Sequence, residues 1–269
     1  MRHIKFFLFI IPTILLTLFF TNDMKKNNVL FCYGKLKPEE IKGYDYLILE
    51  SKHYFPSNVR VMKSQNKKVL AYISLGEVNI NANHYKELKN STLGKNKIWN
   101  SFYLDLKSEK TIQILLNIVD ETLKKGYDGL FLDNIDNYCM YGHQKAQKED
   151  LIKLLKKIKE KYPNKTFIQN AGLEIIDQTH EYIDGIAIES IASNYTFKTK
   201  KYSLRDNSQF ENSMKNLESI KNKYKMPIIL IEYADTEVLY KQIEDKIKNS
   251  KFDYFIGNID LQHLPKFKN

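Results

Sequence analysis

Eight short β-rich runs, most of them separated by stretches with helical periodicity, lie in an undivided chain of 269 residues. Together these predict an α/β fold, a single-domain (β/α)8 TIM barrel. The runs are 29–33, 46–50, 69–74, 129–133, 167–170, 186–189, 228–231 and 254–257. Strands that alternate with helices form parallel sheets, and eight such units close into a ring. No low-complexity tract or linker divides the region, and a core of this size needs no disulfide staples.

The N-terminus reads differently from the rest. Arg2, His3 and Lys5 precede an apolar run at 6–20, interrupted only by Pro12, Thr13 and Thr17. That pattern predicts a signal peptide or N-terminal membrane anchor over residues 1–25, with a catalytic domain over 26–269. The anchor form implies membrane attachment through 6–20. The small residues that mark a cleavage site are missing, and Leu30-Phe31-Cys32 lacks those that precede a lipidated cysteine. The chain is thus expected to be secreted or held at the outer face of the cell membrane.

Further along, 108–125 carries apolar residues at Ile112, Leu115, Leu116, Ile118, Val119 and Leu123, which is helical spacing, and Gly126 follows as a stop. The stretch 146–162 repeats the pattern and ends before Pro163. A third helix, 236–250, opens on a Thr cap with Glu237 in its first turn. The run 102–106 falls in the long connection after the third strand and predicts an added hairpin or extension.

Composition narrows the partners. The net charge is +10, and deleting residues 1–21 with Arg2 and Lys5 leaves 40 basic against 32 acidic residues, or +8. Most lysines sit in helical stretches, as in 153–161, where they read as a solvated face that could attract anionic polymers. No nucleic-acid-binding motif accompanies them, so no nucleic-acid partner is expected. Eighteen Tyr and 15 Phe supply flat faces suited to sugar rings, although Tyr in place of Leu can also reflect coding bias. Cys32 and Cys139 are expected to be two free thiols, because the fold separates them. No Cys pair or paired His spacing exists, so no metal and no cofactor is expected. The chain is expected to be a monomer.

Reactive groups of a (β/α)8 barrel lie at the carboxyl ends of its strands. The fourth strand ends Gly129-Leu-Phe-Leu-Asp133-Asn134 and the sixth Gly185-Ile-Ala-Ile-Glu189. Strand side chains alternate, so Leu130, Leu132, Ile186 and Ile188 should face the helices. Asp133 and Glu189 are then left facing the barrel mouth. Other strand ends are polar too: Glu50, Glu77, Asn170, Glu232 with Tyr233, and beyond the eighth strand Asn258 and Asp260. Basic residues are scarce there, which predicts an acidic pocket on a basic protein. Two facing carboxyls are the equipment of glycoside hydrolysis, one protonated and one charged. The alternative is that these carboxyls cap helices and bind backbone amides, with Asp136 the first candidate for such a cap.

Tyr72-Ile-Ser-Leu-Gly-Glu77, Gly126-Tyr-Asp-Gly-Leu-Phe-Leu-Asp-Asn-Ile-Asp136, Gln169-Asn-Ala-Gly172 and Ala187-Ile-Glu-Ser190 together resemble glycoside hydrolase family 114, the endo-α-1,4-polygalactosaminidases and their bacterial and archaeal relatives. The likeness spans about 29–262. It implies a (β/α)8 barrel that cuts α-1,4-linked galactosamine within an exopolysaccharide. It also implies Asp133 as nucleophile and Glu189 as acid/base, with Glu77, Asp136, Asn170 and Tyr233 at pocket positions. Glu50, Asn134 and Glu232 complete the expected substrate-binding set. The basic exterior departs from what a cationic substrate would favour. Two other functions compete. One is a non-catalytic surface protein that binds polysaccharide at the same mouth, separable by its failure to shorten the polymer. The other is a metal-dependent phosphoester hydrolase, separable by its sensitivity to chelator. A role in cysteinyl-tRNA synthesis, a label some relatives have carried, finds no nucleotide-binding signature here.

Overall fold

The computed structural model describes residues 29–267. The expected signal peptide or anchor, with the run at 6–20, lies outside the described residues. Among the described residues, no helix is long and apolar enough to cross a membrane.

Eight parallel strands form one sheet in sequential order. They are β1 (Val29–Cys32), β2 (Tyr46–Glu50), β3 (Lys68–Ser74), β4 (Gly129–Asp133), β5 (Thr166–Asn170), β6 (Gly185–Glu189), β7 (Ile228–Tyr233) and β8 (Asp253–Gly257). After β8 the chain returns beside β1, where the Tyr33 amide donates to the Leu261 carbonyl at 2.6 Å, so the barrel is nearly closed. The longer helices are α1 (Pro56–Gln65), α2 (Glu109–Lys124), α3 (Lys148–Lys161), α4 (Asn207–Tyr224) and α5 (Glu237–Ile247).

The helix ends follow local chemistry. Ser108 and Thr236 cap α2 and α5 by accepting the amides of Thr111 and Leu239. Gly126 ends the α2 segment at φ +104, a conformation that costs glycine little. Helix α3 starts two residues later than its periodicity suggests. Gln147 is drawn out of the helix because its side chain accepts from the Leu106 amide at 2.8 Å and donates to Asp105 at 2.6 Å.

Register shows which way each side chain points. Tyr72 lies beside Phe131, Ser74 beside Asp133, Asn170 beside Ala187, and Ile231 beside Glu189. Neighbours in a parallel sheet share a face, so these side chains all turn inward. The rings of Phe31, Phe131 and Phe255 fill the barrel interior, with centroids 5.1 and 5.5 Å apart. The opposite set, Ile186, Ile188, Ile228 and Leu230, packs with Leu217 and Ile220 of α4 and Ile243 of α5.

Two antiparallel additions rise from the mouth. After β3, Ser101–Leu104 pairs with both Glu77–Asn79 and Thr92–Asn96, so the expected extra run is the middle of a three-stranded sheet. After β6, Ser193–Thr196 pairs with Lys201–Leu204 as a hairpin too short for its alternation to stand out in the sequence. Cys32 and Cys139 are both free.

Candidate active site

The three strands that form the centre of the site end alike. Asp133 closes β4, Asn170 closes β5 and Glu189 closes β6. Each is followed by a residue in the left-handed region: Asn134 at φ 62, Ala171 at φ 59 and Ser190 at φ 57. Side chains rarely adopt this conformation, and the abrupt turn leaves the last strand residue facing the mouth.

Asn170 ties the two carboxyls together. Its Nδ2 donates to Asp133 Oδ1 at 2.8 Å and to Glu189 Oε1 at 2.7 Å. Two tyrosines take the outer oxygens. Tyr72 Oη donates to Asp133 Oδ2 at 2.9 Å, and Tyr233 Oη donates to Glu189 Oε2 at 2.6 Å. The Asn134 amide adds a further bond to Asp133. Among the described residues, neither carboxyl forms an ion pair with a lysine or arginine.

Desolvation raises the pKa of both carboxyls. For Glu189 the next cause is the charge of Asp133, which raises it further, while the bonds from Tyr233 and Asn170 oppose the rise. For Asp133 the bonds from Asn170, Asn134 and Tyr72 come next and lower it, with Glu77 a weaker upward influence. Glu189 opens to solvent through the cleft, yet protein surrounds its other sides. Asp133 thus receives more bonds that favour its charged form, whereas Glu189 is raised by a neighbouring charge as well as by burial.

The cleft has a volume of about 560 Å³, within the range of small-ligand sites. Glu50, Glu77, Asn134 and Tyr233, all expected to contact substrate, line it with Asp133 and Glu189. Glu77 is nearly buried, and its carboxylate accepts from Ser101, from Asn137 at 2.9 Å and from Asn96. Lys52 reaches to within 3.8 Å of Glu50, so the acidic mouth has a basic residue just beyond the second strand end. Asn134 accepts a bond from Ser74 Oγ at 2.6 Å.

Three residues expected to contact substrate lie outside the cleft lining. Asn170 is buried and does not line the cleft; it acts on the two carboxyls themselves. Asp136 is exposed on the turn after β4, also outside the lining, and accepts the amides of its own turn. Its pKa is raised by the surrounding protein and then by Asp133. Glu232 lies behind the barrel wall, fully buried, because it shares the outward parity of Ile228 and Leu230. Its carboxylate accepts the amides of Ile191, Ala192 and Ser193 and the Ser193 hydroxyl, which fixes the turn after Glu189.

Tyr33 and Tyr72 line the cleft, their rings 4.6 Å apart, although neither was among the expected site residues. The parity that selects Asp133 would have selected both. Among the described residues, no group of three His, Cys, Asp or Glu could hold a metal ion.

Comparison with known proteins places this arrangement. The glycoside hydrolase domain of PelA from Pseudomonas aeruginosa superposes with a TM-score of 0.78 at 24% identity, covering 88% of this chain and 96% of that one. Aspergillus fumigatus Ega3, solved in complex with galactosamine, gives a TM-score of 0.67 at 18% identity over 87% and 90% of the two chains. A Thermotoga maritima protein described as uncharacterized is 22% identical, covering 87% of this chain and 82% of its own. At these identities the solved structures establish the (β/α)8 fold. The family is established by its sequence model, that of glycoside-hydrolase family GH114, which matches residues 34–268. This barrel, with paired carboxyls at its mouth, belongs to family GH114 and is a glycoside hydrolase.

Proposed function

We propose that the protein cuts internal bonds of an α-1,4-linked, galactosamine-containing exopolysaccharide outside the cytoplasm, with retention of anomeric configuration. The observation that carries this reading is the shared amide of Asn170. Two bonds of 2.8 and 2.7 Å from one nitrogen keep the two accepting oxygens within about 5.5 Å of each other. Retaining enzymes space their carboxyls at about 5–5.5 Å, whereas inverting ones need about 6.5–9.5 Å to admit a water.

In the first step an oxygen of Asp133 attacks the anomeric carbon. The bond to the glycosidic oxygen breaks, and that oxygen takes the proton of Glu189. In the second step Glu189, now charged, removes a proton from water. The hydroxide attacks the anomeric carbon and Asp133 leaves as carboxylate. The hydrogen bonds support these roles: those from Asn170, Asn134 and Tyr72 favour the charged form of Asp133, while the Asp133 charge helps keep the proton on Glu189. A cationic amino sugar suits a cleft holding Asp133, Glu189, Glu77 and Glu50. The galactosamine in the Ega3 structure supports the same sugar class.

The test is product stereochemistry. NMR of fresh digests should show the α-anomer at the new reducing end before mutarotation. Asp133→Asn and Glu189→Gln should each lower kcat by about 10²–10⁴ or more. A β-anomer would overturn retention, and full activity in either variant would overturn the catalytic pair.

A further inference from the structure

The two additions at the mouth meet. Trp99 lies at the tip of the sheet that follows β3, and Phe197 at the tip of the hairpin that follows β6. Their rings contact edge to face with centroids 5.2 Å apart. Strands β3 and β6 are separated by β4 and β5, so this contact spans the mouth between them.

The strap is held from both sides. Asn79 Nδ2 donates to the Trp99 carbonyl at 2.9 Å. On the other side Phe197 packs on Tyr195, and Tyr195 on Tyr202, with centroids 5.0 and 4.7 Å apart. The Tyr202 hydroxyl accepts the Ile259 amide at 3.3 Å, which fastens the row to the segment after β8.

Despite this support, Trp99 is 49% and Phe197 44% exposed. Two large aromatics held open to water in a fixed pose leave apolar faces available to a ligand. Trp99 also lines the catalytic cleft, so the strap continues that binding surface.

The charge around the strap is opposite to that of the cleft floor. In sequence Lys95 and Lys97 precede Trp99, and Lys198 and Lys200 follow Phe197; all four are exposed, with Lys95 Nζ over the Phe102 ring at 5.6 Å. None forms an ion pair among the described residues. An ammonium group on these tips would enter a lysine-rich neighbourhood, whereas an acetamido group would meet none of that repulsion and could lay its methyl on the indole.

We propose that Trp99 and Phe197 form a second binding station for the glycan, which takes an uncharged, N-acetylated hexosamine unit beyond the units held at Asp133 and Glu189. This rests on the glycan-hydrolase reading above. The substrate it fits is a mixed polymer, with a free amine at the acidic floor and an acetylated unit at the strap.

Trp99 is the single tryptophan of the chain, so intrinsic fluorescence reads this station directly. Full-length Asp133→Asn/Glu189→Gln protein is titrated with a partly N-acetylated α-1,4-galactosamine polymer, with its fully de-N-acetylated form, and with anionic phosphatidylglycerol vesicles. The expected result is a saturable change in Trp99 emission with the partly acetylated polymer, at least fivefold tighter than with the de-acetylated one. Phe197→Ala should weaken that binding about five- to tenfold. Joint Lys97→Glu and Lys198→Glu substitution should narrow or reverse the preference.

Polymer binding by calorimetry with no change in Trp99 emission would overturn the station. So would equal or tighter binding of the de-acetylated form, or a Trp99 response to vesicles alone, which would make the tips a membrane contact. Cleavage by the unmodified enzyme without a Trp99 response sinks the station and leaves the hydrolase reading. A saturable, acetylation-dependent response in an enzyme that cuts nothing does the reverse.

Discussion

Asn170 donates from one nitrogen to both carboxyls, and both bonds favour the charged form of their acceptor. Removing the donor should make both groups hold their protons more tightly. In Asn170→Ala, therefore, both limbs of the kcat/KM pH profile should move to higher pH, with kcat lowered about 10²-fold as alignment is lost. A lower rate with an unmoved profile would make Asn170 a spacer only. The same groups carry a stability cost. A carboxyl whose folded pKa is raised binds its proton more tightly in the native state. Its penalty is absent below the unfolded pKa of about 4 and complete above the folded pKa. Asp133→Asn with Glu189→Gln should then raise Tm at pH 8 and leave it nearly unchanged at pH 4. Thermal melts at the two pH values read the difference, and an equal gain at both would assign it to packing.

Each strand end of the candidate site depends on the element beside it. The turn that leaves β6 is held by a carboxylate on β7, where Glu232 accepts three consecutive amides and the Ser193 hydroxyl. Glu232→Ala would leave those donors buried without a partner, at a cost of about 2–5 kcal/mol by urea unfolding. It should also lower kcat, because Glu189 stands two residues before the turn. A change under 1 kcal/mol would mean that water or a local shift replaces the carboxylate. Glu232 also shows how far the sequence could be read. Strand positions and the inward parity of Asp133 and Glu189 follow from alternation, which is local. Applied to β7, the same alternation turns Glu232 outward and Tyr233 inward, and it brings Tyr33 and Tyr72 to the mouth. The bridge made by Asn170 is different. It depends on how far three strand ends stand apart around the ring, which no local pattern records. The contact between Trp99 and Phe197 joins two insertions almost 100 positions apart and is equally silent in the sequence.

Across the whole molecule, a basic exterior surrounds an acidic cleft, and the two fields act over different ranges. The chain carries +10, while the cleft carries Asp133, Glu189, Glu77 and Glu50. At about 0.01 M salt the Debye length is about 30 Å, so an approaching cationic polymer feels the full positive body. At about 0.15 M it falls to about 8 Å, and only charges lining the cleft still act on a bound sugar. Long-range repulsion is thus screened before short-range attraction. At subsaturating substrate, kcat/KM for a de-N-acetylated polymer should rise between these two salt concentrations, while that for a largely acetylated polymer should stay nearly flat. Rates measured at both ionic strengths on both polymers provide the check. A steady fall for the cationic polymer would mean that the cleft's field reaches past the lysines and governs capture from solution.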